Sequence, residues 1–115
     1  MSVTIFHNPR CSKSRQTLQI LVDKSLEPSV VEYLKTPPSV EEIQAILSLL
    51  DMSPRELMRK NESIYKEKDL DSETLSDIEL ITAMTTDPIL IERPIVLANG
   101  KARIGRPPES VLDIL

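Results

Sequence analysis

The sequence holds one cysteine, one histidine, no tryptophan and only two glycines among 115 residues. One cysteine excludes an internal disulfide framework and, with no targeting segment in view, suits a reducing cytoplasm. One histidine, without clustered partners at ligand spacing, makes a poor metal site, so no bound metal is expected. Aromatic side chains are confined to Phe6, Tyr33 and Tyr65, so the core must rest on Leu, Ile, Val and Met. There is no long apolar run, which argues against a membrane span and a secretory signal. Acidic residues outnumber basic ones, 18 to 14, and the net charge of -4 disfavours broad nucleic-acid binding. Arg10, Arg15, Arg93, Arg103 and Arg106 nonetheless lie near the two ends of the chain, while acids crowd the middle. That asymmetry suits a local site for a small anion on an acidic protein.

The single cysteine and the single histidine share one stretch, His7-Asn8-Pro9-Arg10-Cys11-Ser12-Lys13-Ser14-Arg15. Before it, Val3–Phe6 reads as a short strand. After it, Ser14, Thr17, Leu18 and Leu21 fall on one helical face, with Val22 beside them. Cys11 therefore sits in a strand-to-helix turn, at or near the helix N-cap. Free amide N–H groups and the positive dipole end gather there, favouring a thiolate and a bound oxyanion. Arg10, Lys13 and Arg15 add positive potential. The expectation is a low-pKa, solvent-reachable nucleophile over an anion cradle. A lone cysteine is more often a small buried hydrophobe, but polar and basic flanks argue against burial here. Cys11-x-x-Ser14 also has the spacing of a redox pair, with serine in the second place. No intramolecular disulfide can form, so any redox cycle must take its second thiol from outside.

Length bounds the chain to one domain, 1–115. A second strand is expected at Val30–Leu34, giving a βαβ unit with a right-handed crossover, and Thr36-Pro37-Pro38 stops it. Ser39-Val40-Glu41-Glu42, Ser53-Pro54-Arg55-Glu56 and Ser76-Asp77-Ile78-Glu79 are capping boxes of a helical insert over about 39–87. Asn61–Asp71 reads as a short helical turn and loop. Pro94–Ala98 and Lys101–Gly105 flank Asn99-Gly100, a two-residue hairpin signal, and Pro107 or Pro108 opens a last helix with Val111, Leu112 and Leu115 packing on the sheet. The pattern βαβ, helical insert, ββα predicts an α/β, thioredoxin-like fold with a four-stranded mixed sheet.

In such a fold the end of the first strand and the turn into the third lie close together. Arg93, directly before Pro94, can then face the Cys11 loop. Arg106 follows the fourth strand, again before a proline, and Arg59 falls late in a helix of the insert. A guanidinium grips a tetrahedral oxyanion through two oxygens without losing its charge.

The chain resembles the glutaredoxin-coupled arsenate reductase family, especially its short, single-cysteine members. The resemblance rests on His7-Asn8-Pro9-x-Cys11-x-x-Ser14-Arg15, Leu57-Met58-Arg59-Lys60-Asn61, the run Pro88–Val96 and Arg106-Pro107, and extends nearly end to end. It implies that Cys11 attacks arsenate and that Arg93 and Arg106, with Arg59, hold the oxyanion. It further implies that His7 helps keep the cysteine ionised, and that Ser14 and Arg15 frame the anion loop. Pro94 matches the position where such folds carry a cis proline beside the thiol. The resemblance implies no bound cofactor, with glutathione as co-substrate and glutaredoxin as protein partner, and a cytoplasmic monomer is expected. Two rivals remain open at this point. One is other thiol–disulfide or oxyanion chemistry at the same site, such as deglutathionylation. The other is a non-enzymatic regulator of the same fold that grips RNA polymerase, although those proteins usually carry the Cys-x-x-Cys that Ser14 interrupts.

Overall fold

The sheet is built from the chain's β-branched segments. In the computed structural model, which describes residues 2–115, β1 (Val3–Phe6), β2 (Ser29–Val31), β3 (Ile95–Ala98) and β4 (Lys101–Ile104) lie in the order β2-β1-β3-β4. β1 runs parallel to β2 and antiparallel to β3, and β3 runs antiparallel to β4. The sheet is mixed, as the βαβ and ββα halves require. The chain forms two compact units, one of Met1–Thr36 with Arg93–Leu115 and one of Pro37–Glu92.

In the first unit, register decides which side chains share a face. Val3 stands opposite Ala98 and Ile5 opposite Val96. Onto these four pack Leu21 of α1 (Ser12–Asp23) and Val111 and Ile114 of a closing 3₁₀ helix (Pro108–Ile114). Each such aliphatic side chain contributes about 1.5–3 kcal/mol when fully buried. Leu18, Ile20, Leu26 and Leu115 fill the margin of this core.

Three expectations are corrected in this unit. Val22 is 52% exposed, not beside the buried face. At 3.6 residues per turn it lies about 100° around α1 from Leu21, off the stripe of Ser14, Thr17 and Leu21. Leu112 is 42% exposed because the last helix is 3₁₀; its repeat of about three residues stacks Pro108, Val111 and Ile114 on one side. The second strand is Ser29–Val31, not Val30–Leu34. Its partner β1 ends at Phe6, the N–H of His7 donates the last bond to Val31 O at 2.8 Å, and the chain then turns. In that turn the N–H groups of Lys35 and Thr36 both donate to Glu32 O, and Tyr33 is buried.

The hairpin joining β3 and β4 turns through Asn99 at φ 56° and Gly100 at φ 71°, the doubly left-handed pair of a two-residue I′ turn. Asn99 Nδ2 also donates to Ile114 O at 2.8 Å, tying the turn to the last helix.

In the second unit, α2 (Val40–Leu50), α3 (Pro54–Leu57) and α5 (Asp77–Thr86) all begin at complete capping boxes, Ser39/Glu42, Ser53/Glu56 and Ser76/Glu79. The short α4 (Ser63–Glu67) lies in the stretch read as a helical turn and loop. The unit extends beyond the helical block to Glu92 because a short bridge pairs Met58 with Ile91. There the N–H of Arg59 donates to Leu90 O and the N–H of Glu92 to Leu57 O. Among the described residues no helix is long and apolar enough to cross a membrane.

Candidate active site

Cys11 is the N-cap of α1, in extended conformation at φ -94° and ψ 122°. Its N–H donates to Asn8 O at 3.0 Å, and its carbonyl accepts the first helical bond from Arg15 N–H. Asn8 Oδ1 accepts the N–H of Arg10, and Arg15 Nη1 donates to Pro9 O at 2.9 Å, so the loop's backbone is braced from both ends. No side chain caps the helix start, and no acidic residue lies in its first turn. The donors of that turn are therefore left for an acceptor from outside the chain.

Cys11 is more buried than expected. Cys11 is only 8% exposed, and Arg106 Nη2 points to Sγ at 3.6 Å. Polar neighbours in sequence do not keep a residue exposed when a neighbour in space carries the contact, and here an arginine 95 residues away supplies it.

His7 is buried, and its Nδ1 lies 2.6 Å from Ser14 Oγ. Ser14 Oγ, also buried, accepts the N–H of Asn8 at 3.0 Å, so its own proton can go to Nδ1 of a neutral imidazole. Burial pushes the His7 pKa below its ordinary value. The Glu32 carboxylate opposes that shift and the Arg15 guanidinium adds to it. The polar bonds of His7 and Ser14 thus fasten the strand end to the first turn of the helix across the thiol loop.

Arg93 and Arg106 meet in space. Arg106 Nε donates to Arg93 O at 2.8 Å, which turns the far side of the guanidinium to the sulfur. The Arg93–Pro94 peptide is cis, as the resemblance implies, and so is Arg106–Pro107, which was not foreseen. Arg59 belongs to the second unit and follows α3 instead of lying within it. Its Nε is 3.3 Å from Glu62 and its Nη1 3.2 Å from Glu92, so two carboxylates orient this guanidinium. Among the described residues, no group of three His, Cys, Asp or Glu side chains is placed to hold a metal.

The profile of the ArsC family matches residues 6–114. The chain belongs to the ArsC family. It is 48% identical over 116 residues to the arsenate reductase of Haemophilus influenzae strain Rd, with all of both chains covered. It is 56% identical over 114 residues to the uncharacterised protein YfgD of Escherichia coli K12, covering 98% of this chain and 96% of that one. Among solved structures, the arsenate reductase from Vibrio cholerae superposes with a TM-score of 0.97 at 52% identity, covering 100% of this chain and 98% of that chain. The thioredoxin-like arrangement of four strands and helical insert is thus the ArsC fold.

Two residues beside this ArsC site, Gly105 and Thr17, were given no part in it from the sequence. A Cβ on Gly105 would stand 2.5 Å from Thr17 Oγ1 and 2.8 Å from Pro94 Cγ, so only glycine lets the end of β4 approach both α1 and Pro94. Its N–H donates to Pro94 O at 2.9 Å, and Arg106 is the next residue. Thr17, fully buried, satisfies its hydroxyl on Lys13 O at 2.8 Å. The signal was the rarity of glycine: one of two marks the hairpin, and the other directly precedes Arg106.

Proposed function

We propose that this protein reduces arsenate to arsenite, with glutathione and a glutaredoxin-type dithiol protein as reductants, in the cytoplasm and as a monomer. The observation that carries the reading is the lone thiol at an uncapped helix start with Arg106 Nη2 at 3.6 Å. Arsenate exchanges with the sulfur for the Arg106 N–H and takes up the donors of the first turn. Arg93 completes the grip, and the bracing of Pro9 O by Arg15 keeps the loop open around it. The Cys11 thiolate attacks arsenic. The S–As bond forms, one oxygen leaves as water, and arsenic stays in the As(V) state.

Glutathione thiolate then attacks the Cys11 sulfur. An S–S bond forms, and the electron pair of the S–As bond stays with arsenic, which leaves as As(III) arsenite. A second thiol, from glutaredoxin or another glutathione, removes the glutathionyl group as a disulfide and restores Cys11. Ser14 cannot substitute for that second thiol, which is why the reductant is external. His7 acts by position: bonded to Ser14 and biased toward its neutral form, it fixes the thiol loop without adding a second charge. Fixed donors facing the developing charge are the main source of rate, each typically worth about 10²–10³ in turnover.

The test is glutathione-dependent arsenite formation, with and without glutaredoxin, for the native chain, Cys11→Ser and Arg106→Ala. Cys11→Ser should be inert, and Arg106→Ala should lose roughly 10²-fold. A native chain that leaves arsenate untouched yet removes glutathione from a glutathionylated peptide would move the reading to deglutathionylation.

A further inference from the structure

A cavity of about 320 Å³ opens beside the thiol loop, lined by Asn8, Pro9, Arg10, Glu32, Leu34 and Lys35. Nothing in the oxyanion chemistry uses it. It is within the size range of small-molecule sites, about 300–1,000 Å³. Three of its lining residues, Asn8, Pro9 and Arg10, directly precede Cys11 in the chain, so the cavity lies beside the thiol loop.

The lining has a definite charge pattern. Arg10 and Lys35 are cations, Glu32 is a carboxylate, and Pro9 and Leu34 supply an apolar wall. Glu32 and Lys35 pair at 3.6 Å, but their side chains are 41% and 78% exposed. Such a wet pair holds together weakly and exchanges readily for a ligand's charges. The complement of two cations and one anion is a small molecule with two carboxylates and one ammonium. Glutathione has that pattern, with its thiol on the residue between the charged ends.

We propose that this cavity is the docking site of the peptide thiol co-substrate, with its two carboxylates on Arg10 and Lys35 and its ammonium on Glu32. The inference rests on the reductase reading for its occupant but not for its location. Arg106 does not line this cavity, so the oxyanion and the thiol need not compete for one space.

The experiment compares the native chain with Lys35→Glu. Lys35 is outside the oxyanion machinery, so arsenate KM and turnover with 2-mercaptoethanol, a thiol without charged groups, should be unchanged. KM for glutathione should rise roughly three- to tenfold, the range of replacing an exposed attraction by a repulsion. Equal KM values for glutathione in the two proteins would overturn the proposal. In parallel, S-methylglutathione, which cannot react, is titrated into the native chain and followed by amide NMR shifts. The amides of Asn8, Arg10, Glu32, Leu34 and Lys35 should move, and Lys35→Glu should weaken the effect. Shifts centred elsewhere, or none at millimolar ligand, would reject the site. This arm needs no arsenate. If no thiol supports arsenate reduction, the reductase reading fails, and the titration still decides the cavity.

Discussion

The helix starts of the two units answer the same physical problem in opposite ways. α2, α3 and α5 each begin with a serine whose hydroxyl accepts the third amide of the helix, while the glutamate at that position accepts the serine's own N–H. Acidic residues in their first turns face the positive end of the dipole. α1 begins with Cys11, makes no such bond and carries Lys13 in its first turn. A closed helix end adds about 1 kcal/mol of stability. An open one forgoes that and keeps its donors for an anion that arrives with the reaction. The chain uses carboxylates where a helix only has to start, and a thiol with arginine where it has to bind.

The open end must then be held by something other than a cap, and packing holds it. Gly105 is pressed against Thr17 of α1 and against Pro94. The largest stability effect should come from Gly105→Ala, because the added methyl meets atoms that other contacts fix in place. Overpacking of this kind costs about 1–3 kcal/mol. Urea denaturation should show a lower midpoint with an unchanged slope, and turnover should fall too, since Arg106 follows directly. A variant with native midpoint and native turnover would show that the open end does not depend on this contact.

The next effect is smaller and has two signs. Ser39→Ala, Ser53→Ala and Ser76→Ala should each lower stability by about 1 kcal/mol and leave turnover intact. Cys11→Ser reverses both outcomes. It installs a favoured N-cap residue, so it should hold or raise stability by up to about 1 kcal/mol while eliminating reduction. Melting curves of the four variants, measured together, make the comparison quantitative. If Cys11→Ser falls with the other three, the α1 start is not an uncapped end.

These contrasts were partly legible in the sequence. The capping boxes are local, spanning four residues, and all three stand where the Ser-x-x-Glu spacing puts them. The thiol's place at a helix start was equally local. The hairpin was readable because Asn99-Gly100 is a backbone requirement written in two residues. What failed depended on distant partners. The contact of Cys11 with Arg106 and the length of β2, set by where β1 ends, do not show in the neighbouring sequence. The period of the last helix hid for a related reason, since Pro-Pro opens a 3₁₀ helix as readily as an α-helix and only the buried set Pro108, Val111 and Ile114 distinguishes them. The carboxylates around Arg59 could have been suspected only for Glu62, three residues on; Glu92 required the bridge.

The subtlest difference between the two kinds of helix start should be their response to acid. His7 is the sole histidine, and burial sets its folded pKa below the unfolded value of about 6.5. The unfolded chain therefore binds the proton first as pH falls. The contribution of His7 is complete above about pH 6.5, declines as pH drops toward the folded value, and is gone below it. At the capped ends the sensitive group is Glu56, whose carboxyl is held below its ordinary value by the backbone and side-chain hydrogen bonds from Ser53. Its contribution survives until pH falls below about 4.3 and is lost through its own lower folded value. Melting temperature against pH should thus show two separate declines, the upper belonging to the thiol loop and the lower to the Ser53/Glu56 box. His7→Asn, which can keep a bond to Ser14 but cannot gain a proton, should flatten the decline that begins below about pH 6.5 and leave the acid limb in place. Glu56→Gln should do the reverse. Superimposable native and His7→Asn profiles through the upper decline would mean that the imidazole enters the folded state without penalty, and that the loop beside Cys11 is wetter than its burial indicates.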